Sequence, residues 1–333
     1  MNISGLQTVT GPISINDITV ADAHAHVWIN PPDGVAPDVR IELRDRARIA
    51  AEVRAFGKAG GALIVDCQPE GCGRDAACLA ELSAETGVFI TATTGFHQRK
   101  FYPDGHWLWR SDAETAARFF RDELTRGMRE TGGAIPATTI KVGYEGTIDG
   151  QTRTLMEAAA DAAHSTGAVI LFHTEQGRNV EALLPFFSDR HVPPSQLYLC
   201  HVDKRPDFGL HAELAQAGVL LGYDTFVRPK YNPDTTTWPL LRQMAGAGHA
   251  RQVAIGQDLA FPYMWQAYGG QPGLLTLIQT IRPRLEREGF LAGDIAGLTG
   301  ANVARRLVRR CLVPGNDPNK ATGDITADPH QEI

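Results

Sequence analysis

Short apolar runs alternate with longer amphipathic segments along most of the chain. The short runs are typical of buried strands, and the longer segments repeat their hydrophobic positions with helical spacing. The predicted strands lie near residues 18–26, 62–67, 88–93, 138–142, 168–173, 197–201, 219–223 and 253–258. The predicted helices cover residues 40–58, 75–86, 114–130, 152–165, 210–216, 240–247 and about 295–309.

Several of the apolar runs end in a residue that can bind a metal ion. The first run ends at His24 and His26, and the alternation of side chains along a strand places both imidazoles on one face. A lone His-x-His more often makes ordinary hydrogen bonds in a loop. Here four further candidates follow later runs, namely Lys141, His173, His201 and Asp258. This pattern indicates one shared metal site.

The alternation of strands and helices predicts an α/β fold, a (β/α)8 TIM barrel whose metal centre lies at the C-terminal ends of the strands. A doubly wound sheet also alternates strands and helices, but it gives no reason for ligands on five strands to converge. No internal repeat or low-complexity linker divides the chain, so we predict one domain over residues 1–312. Residues 313–333 are polar, with Gly, Asp and Pro, and are predicted to form a flexible tail.

Composition narrows the functional classes. The chain of 333 residues is 43% hydrophobic and carries a net charge of -6, which leaves no basic surface for nucleic acid. No apolar stretch approaches the roughly 20 residues needed to span a membrane. The N-terminus lacks the basic and apolar regions of a secretory signal. Five cysteines without C-x-x-C spacing favour reduced thiols, and we expect a cytoplasmic protein.

The order His-x-His, Lys, His, His and Asp at successive strand ends resembles the phosphotriesterase-like branch of the amidohydrolase superfamily. The resemblance covers nearly the whole chain, from about Thr8 to Arg310. Other segments that resemble the family are 8–13, 64–66, 73–75, 94–96 and 302–305. All of these segments together are far more specific for this family than any one of them is alone.

This resemblance implies two divalent metal ions. The implied ligands are His24, His26 and Asp258 for the more buried ion, and His173 and His201 for the more exposed ion. An ammonium group cannot bind a metal, so the family pattern implies that carbon dioxide carboxylates Lys141 and that the carbamate bridges both ions. An ordinary Lys paired with an acid is the alternative. We expect zinc first, with manganese, cobalt or iron as alternatives.

The implied activity is hydrolysis of a lactone. Two cations lower the pKa of a bridging water, and the resulting hydroxide would attack the carbonyl carbon. Asp258 and Lys141 are the predicted catalytic residues, with Asp258 as the proton shuttle. Asp203 is a candidate for a second relay or for orienting a neighbour, and Glu175 is predicted to support His173.

The segments after the seventh and eighth strands resemble those of sugar lactonases in this family, some of which act on phosphorylated substrates. Arg228 and Lys230 are candidates to clamp a phosphate or carboxylate, although a solvated basic loop is about as plausible. Tyr231, His97 and Lys100 are further candidates for substrate binding, and His97 stands where relatives often have Tyr.

Other functions stay open at this point. A phosphotriesterase, carboxylesterase or amide hydrolase of the same superfamily would use the same ligands, and a non-catalytic metal-binding barrel is a further alternative. We expect a small-molecule substrate, a homodimer, and no nucleic-acid or membrane partner.

Overall fold

A hairpin and a barrel of parallel strands make up the sheets of the protein, for which a computed structural model describes residues 5–309. The hairpin pairs β1 (Leu6–Thr8) with β2 (Gly11–Ile13). The barrel strands are β3 (Ala21–Ala25), β4 (Leu63–Asp66), β5 (Phe89–Thr91), β6 (Thr93–Phe96), β7 (Thr139–Tyr144), β8 (Ile170–Thr174), β9 (Leu197–Cys200), β10 (Leu220–Tyr223) and β11 (Val253–Ile255).

The barrel strands are hydrogen-bonded in their order along the chain. One sheet runs β3-β4-β5 and the other β6-β7-β8-β9-β10-β11. Only Ala92 separates β5 from β6, so these two strands together form the third of the eight strands of the barrel. The amide of Asp258 donates to the carbonyl of His24 at 2.7 Å, which joins the end of the last strand to the first. The structure therefore confirms the predicted (β/α)8 barrel.

Ten α-helices lie among the described residues. They are α1 (Arg46–Lys58), α2 (Ala76–Thr86), α3 (Ala113–Thr125), α4 (Gly150–Thr166), α5 (Leu183–Ser188), α6 (Phe208–Gln216), α7 (Thr237–Gly246), α8 (Arg282–Arg287), α9 (Ala292–Ala296) and α10 (Asn302–Leu307). An aspartate carboxylate caps the first turn of α1, α2, α3 and α6 by accepting an amide hydrogen bond.

Some predicted boundaries are wrong. The first helix begins at Arg46 rather than residue 40, because Asp45 is its N-cap and accepts the amide of Arg48. The predicted final helix is interrupted at Thr299 and Gly300, whose dihedral angles are not helical. A Cβ on Gly300 would lie 3.3 Å from the carbonyl oxygen of Thr19, so this interruption brings the chain close to the first barrel strand. Helices α5 and α8 were not predicted.

Two apolar clusters form the core. Along β8, Ile170 and Phe172 pack in the larger cluster, while Leu171 belongs to the smaller one, as expected from the alternation of a strand. Leu6 of β1 and Leu307 of α10 also belong to the smaller cluster. The hydroxyl of Thr138, just before β7, donates to the carbonyl of Gln7, and Arg306 of α10 donates to the carbonyl of Gly218, just before β10, so the hairpin and the last helix pack where these strands begin.

The remaining predictions concern compartment and domain limits. Within residues 5–309, no helix is long and apolar enough to cross a membrane. The four cysteines in this range, Cys67, Cys72, Cys78 and Cys200, are free thiols. The predicted tail and its boundary at residues 312 and 313 lie outside the described residues.

Candidate metal centre

The six predicted ligands come together at the C-terminal end of the barrel. His24 lies in β3, Lys141 in β7 and His173 in β8. His26 and His201 directly follow β3 and β9, and Asp258 lies three residues after the end of β11. The ring centroids of His24 and His201 are 4.7 Å apart, and those of His173 and His201 are 4.8 Å apart. Lys141 is fully buried, and burial of His24 and His26, together with the nearby charge of Lys141, lowers their pKa values.

The carboxylate of Asp258 lies between the rings of His24 and His26. Its Oδ1 atom is 3.7 Å from Nε2 of His24 and 3.7 Å from Nε2 of His26. Two ligands that each lie about 2 Å from one tetrahedral ion are separated by roughly 3–4 Å. These three side chains can therefore hold one metal ion.

Each of the four clustered histidines is oriented by an oxygen atom that accepts a hydrogen bond from one of its ring nitrogens. Carboxylate and amide oxygens only accept, so the ring nitrogen facing each of them must donate. The pairs are His26 Nδ1 with Gln68 Oε1 at 2.7 Å, His24 Nδ1 with Asp224 Oδ2 at 3.2 Å, His201 Nδ1 with Asp224 Oδ1 at 2.7 Å, and His173 Nε2 with Glu175 Oε2 at 3.4 Å. The second nitrogen of each ring is thereby left in the unprotonated form that binds a metal.

Two of these supporting residues were missed from the sequence. Asp224 follows β10, and its two oxygens join His24 to His201 although the residues are far apart in the chain. Gln68 follows β4 and orients His26. The available signal was their position directly after a predicted strand, like the ligands themselves. Glu175 contacts His173 as predicted.

Asp203 is a buried part of the same network. Its Oδ2 atom accepts the hydroxyl of Thr225 at 2.5 Å and the amide of Asp224 at 3.1 Å. Burial raises the pKa of Asp203 to about 7. These bonds tie the loop after β9 to the loop after β10 and so favour the orienting role for Asp203.

The backbone at two ligand positions is in the left-handed region. His201 has φ 66° and Asp258 has φ 49°. Such conformations of non-glycine residues cost about 1–3 kcal/mol and occur most often at functional sites. They turn both side chains away from the course of the preceding strand and toward the cluster.

Electrostatics keep the ligands in their metal-binding forms. Burial, together with the charge of Lys141, lowers the pKa of His26 to about 3, and burial lowers that of His173 to about 4. Burial alone would raise the pKa of Asp258, but the Arg228 guanidinium and the nearby histidines hold it well below its usual range. Near pH 7 the imidazoles are neutral and the carboxylate is ionised, as metal binding requires.

Among the six predicted ligands, two buried side-chain atoms have no hydrogen-bond partner within residues 5–309. They are Nε2 of His24 and Nζ of Lys141. A buried polar atom without a hydrogen bond is costly, which makes these two atoms candidates to contact a bound ion or a group attached to it. The set of neutral imidazoles, a carboxylate and a buried amine fits a divalent transition metal, with Lys141 able to take part only if carboxylated.

A cavity of about 320 Å³ opens above this cluster. All five predicted substrate-binding residues line it, namely Arg228, Lys230, Tyr231, His97 and Lys100. The segment after β3 contributes an apolar wall that includes Val35 and Val39. The sequence did not single out Lys204, which also lines the cavity and lies 5.5 Å from the centre of the Tyr231 ring. Lys230 lies 4.9 Å from the same ring.

His97 presents a defined tautomer to this cavity. Its Nδ1 atom accepts the amide hydrogen of Gln98 at 2.7 Å, and burial holds its pKa well below the usual range. The neutral ring must therefore carry its proton on Nε2. The ring centroid lies 4.9 Å from that of His173, so this donor is next to the metal cluster.

Comparisons with known proteins identify the family and support the fold. The sequence model of the "Phosphotriesterase family" matches residues 4–305. A "Phosphotriesterase homology protein" of Escherichia coli is 26% identical over 284 residues, covering 83% of this chain and 93% of its own. A "Phospho-furanose lactonase" of Mycoplasmopsis agalactiae is 26% identical over 243 residues, 69% of each chain. The crystal structure of a lactonase from Listeria monocytogenes has a TM-score of 0.85 at 23% identity and covers 92% of this chain and 99% of its own, which supports the fold.

Proposed function

Because the chain belongs to the phosphotriesterase family, a family of hydrolases, we propose that it is a metal-dependent lactonase. The observation that carries this proposal is the cluster of oriented, neutral imidazoles with Asp258 at the base of a cavity. The relative from Mycoplasmopsis agalactiae, which is named a lactonase, favours this reaction over the other hydrolyses.

Two divalent cations, with zinc as the first expectation, would supply a water molecule of lowered pKa and polarise the carbonyl group of the substrate. His24, His26 and Asp258 would hold one ion, and His173 and His201 the other. Lys141, carboxylated by carbon dioxide, would contact both.

Asp258 would move the proton. It is one of two carboxylates that line the cavity within the described residues, and the other, Glu175, is bonded to His173 and Gln98. Asp258 would accept the proton released by the attacking water and pass it to the ring oxygen that leaves when the lactone opens.

The substrate we propose is a small sugar lactone with a phosphate or carboxylate group. Lys204 and Lys230 both line the cavity and lie over the ring of Tyr231, so their charges are placed side by side where an anion could bind. The apolar segment after β3 would contact the hydrocarbon face of the ring, and Nε2 of His97 would donate to a substrate oxygen.

A substrate panel tests the reaction. Purified enzyme loaded with zinc is assayed against phosphorylated and neutral sugar lactones, a phosphotriester, a carboxylester and an amide. We expect the phosphorylated lactone to have the highest kcat/KM. Faster hydrolysis of any of the last three substrates would contradict the lactone assignment, and absence of all turnover would favour a non-catalytic metal-binding barrel.

Two lysine variants test the anion site. Lys204→Met and Lys230→Met should each raise KM for the anionic lactone about 10-fold, the equivalent of one charge-assisted hydrogen bond, while kcat changes little. Lys58→Met, at the exposed end of α1, is the matched control. Unchanged KM in both cavity variants would mean that these lysines are only solvated surface.

The predicted homodimer and cytoplasmic location stay predictions. Sedimentation velocity of the purified chain tests the first, and fractionation of the cells that produce it tests the second.

A further inference from the structure

Arg228 lines the cavity, but its guanidinium group is bonded to the protein. Its Nη2 atom donates to Oδ2 of Asp258 at 2.6 Å and also to the backbone carbonyl of Asp258. The side chain is only 11% exposed. Lys230, two residues further along the same loop, has no such partner among the described residues. The two cations of this loop therefore differ in what they contact.

Because of this contact, the two carboxylate oxygens of Asp258 have different neighbours. Oδ2 accepts from Arg228, whereas Oδ1 lies 3.7 Å from Nε2 of both His24 and His26. The same guanidinium bonds the carbonyl of a residue whose φ of 49° is unfavourable for a side chain other than glycine. One planar group thus restrains both the backbone and the carboxylate of Asp258.

We propose that Arg228 is a positioning residue for Asp258, which it holds so that Oδ1 alone faces the metal ion. This inference rests on the proposed metal centre but not on the identity of the substrate. It also assigns Arg228 a role different from the substrate clamp expected from the sequence, and leaves the anion to Lys204 and Lys230.

Metal affinity tests the proposal without any assay of activity. The metal-free full-length chain is titrated with zinc in competition with a chromophoric chelator. Arg228→Met should weaken zinc binding about 10- to 100-fold, the usual loss when a partner of a metal ligand is removed. Arg228→Lys should recover part of the affinity, because an ammonium group can reach Oδ2 but lacks the planar fork. Lys230→Met, the control from the same loop, should bind zinc as the wild type does.

Kinetics separate positioning from substrate binding. At saturating zinc, Arg228→Met should lower kcat and keep the ratio of KM values for anionic and neutral lactones. Wild-type zinc affinity in Arg228→Met, together with loss of that ratio, would overturn the proposal and establish a substrate clamp. If no lactone is hydrolysed, the proposed function fails while the zinc titration still decides the role of Arg228.

A crystal structure of the zinc-loaded wild-type protein provides a test that needs no variant. We expect Asp258 to bind zinc through Oδ1 alone and Arg228 to donate to Oδ2. Binding of zinc through both carboxylate oxygens, with Arg228 turned toward the cavity, would overturn the proposal even if every Arg228 variant failed to fold.

Discussion

At the scale of single residues, the site contains buried side chains that lower the stability of the folded protein. Lys141 is wholly buried, and its ammonium group has no hydrogen-bond partner in residues 5–309. His24 is equally buried, with one ring nitrogen also unpaired. Burial of unsatisfied polar or charged groups lowers stability by several kcal/mol in the absence of compensation. These residues are therefore best explained by binding of a metal ion.

Lys141→Met should change stability and metal binding in opposite directions. Met has nearly the same length and carries no charge, so the metal-free variant should be about 1–3 kcal/mol more stable than the wild type. It should also bind less than the two metal ions per chain expected for the wild type. Urea unfolding of the metal-free proteins and elemental analysis of the loaded proteins measure the two effects. A less stable metal-free variant would contradict this explanation of Lys141.

Asp258→Asn should reduce turnover far more than folding. The amide keeps the shape of the side chain but loses the charge that binds a metal and the basicity that accepts a proton. We expect kcat to fall about 10²–10⁴-fold, with a melting temperature close to that of the wild type. Metal content is measured on the same sample. Near-normal kcat in a fully loaded variant would exclude Asp258 as the proton shuttle.

At the scale of elements, the predicted ligands lie in or just after five of the barrel strands, β3, β7, β8, β9 and β11. The register pairs Gly95 of β6 with Lys141 of β7, and Gly143 of β7 with His173 of β8. Gly95 has φ 96°, and a Cβ there would lie 2.1 Å from the carbonyl oxygen of Lys141. The absence of a side chain at Gly95 therefore permits the approach of β6 to the strand that carries Lys141.

Gly95→Ala should destabilise the protein much more than Gly87→Ala. Both glycines have positive φ, but nothing lies within 4 Å of a Cβ at Gly87, at the end of α2. The control should lose about 1 kcal/mol from backbone strain alone, and Gly95→Ala about 3 kcal/mol or more because strand backbones must separate. Urea unfolding of both variants gives the difference. Equal losses of stability in the two variants would mean that β6 can shift away from β7 without a further loss of free energy.

At the scale of the whole molecule, the barrel separates stability from chemistry. The hairpin and α10 pack where the strands begin, through bonds such as Thr138 with Gln7 and Arg306 with Gly218, and the predicted ligands lie where the strands end. This division is general in TIM barrels, whose loops after the strands carry the active site. The ligands come from β3, β7, β8 and the segments after β3, β9 and β11, so a metal ion would connect distant parts of the chain.

Metal removal should therefore lower the stability of the whole barrel. Any ion that binds only the folded state stabilises it, by about 2.7 kcal/mol at a free concentration of 100 times Kd. Calorimetric scans of the chelated protein should show a higher melting temperature after zinc is added. Magnesium, which prefers oxygen ligands, is the control and should change it little. An equal shift with magnesium would argue against a site built from imidazoles.

The sequence by itself determined the barrel and the residues that cluster at the C-terminal ends of its strands. Alternating apolar and amphipathic segments specify βα units, and because parallel strands share one direction, the residues at their C-terminal ends must meet at one face. His24, His26, Lys141, His173, His201 and Asp258 could therefore be found from their positions after apolar runs.

The tertiary structure alone decided how these residues are oriented. Asp224 joins His24 to His201, Arg228 bonds Asp258 at the cavity wall, and Lys204 lies against the ring of Tyr231. Each contact joins loops that follow different strands, so its geometry depends on barrel closure and on rotamers that no local pattern specifies. The residues that could bind a metal can be found from the periodicity of the sequence. Their hydrogen-bond partners come from segments distant in the sequence, so they depend on how the strands and loops pack together.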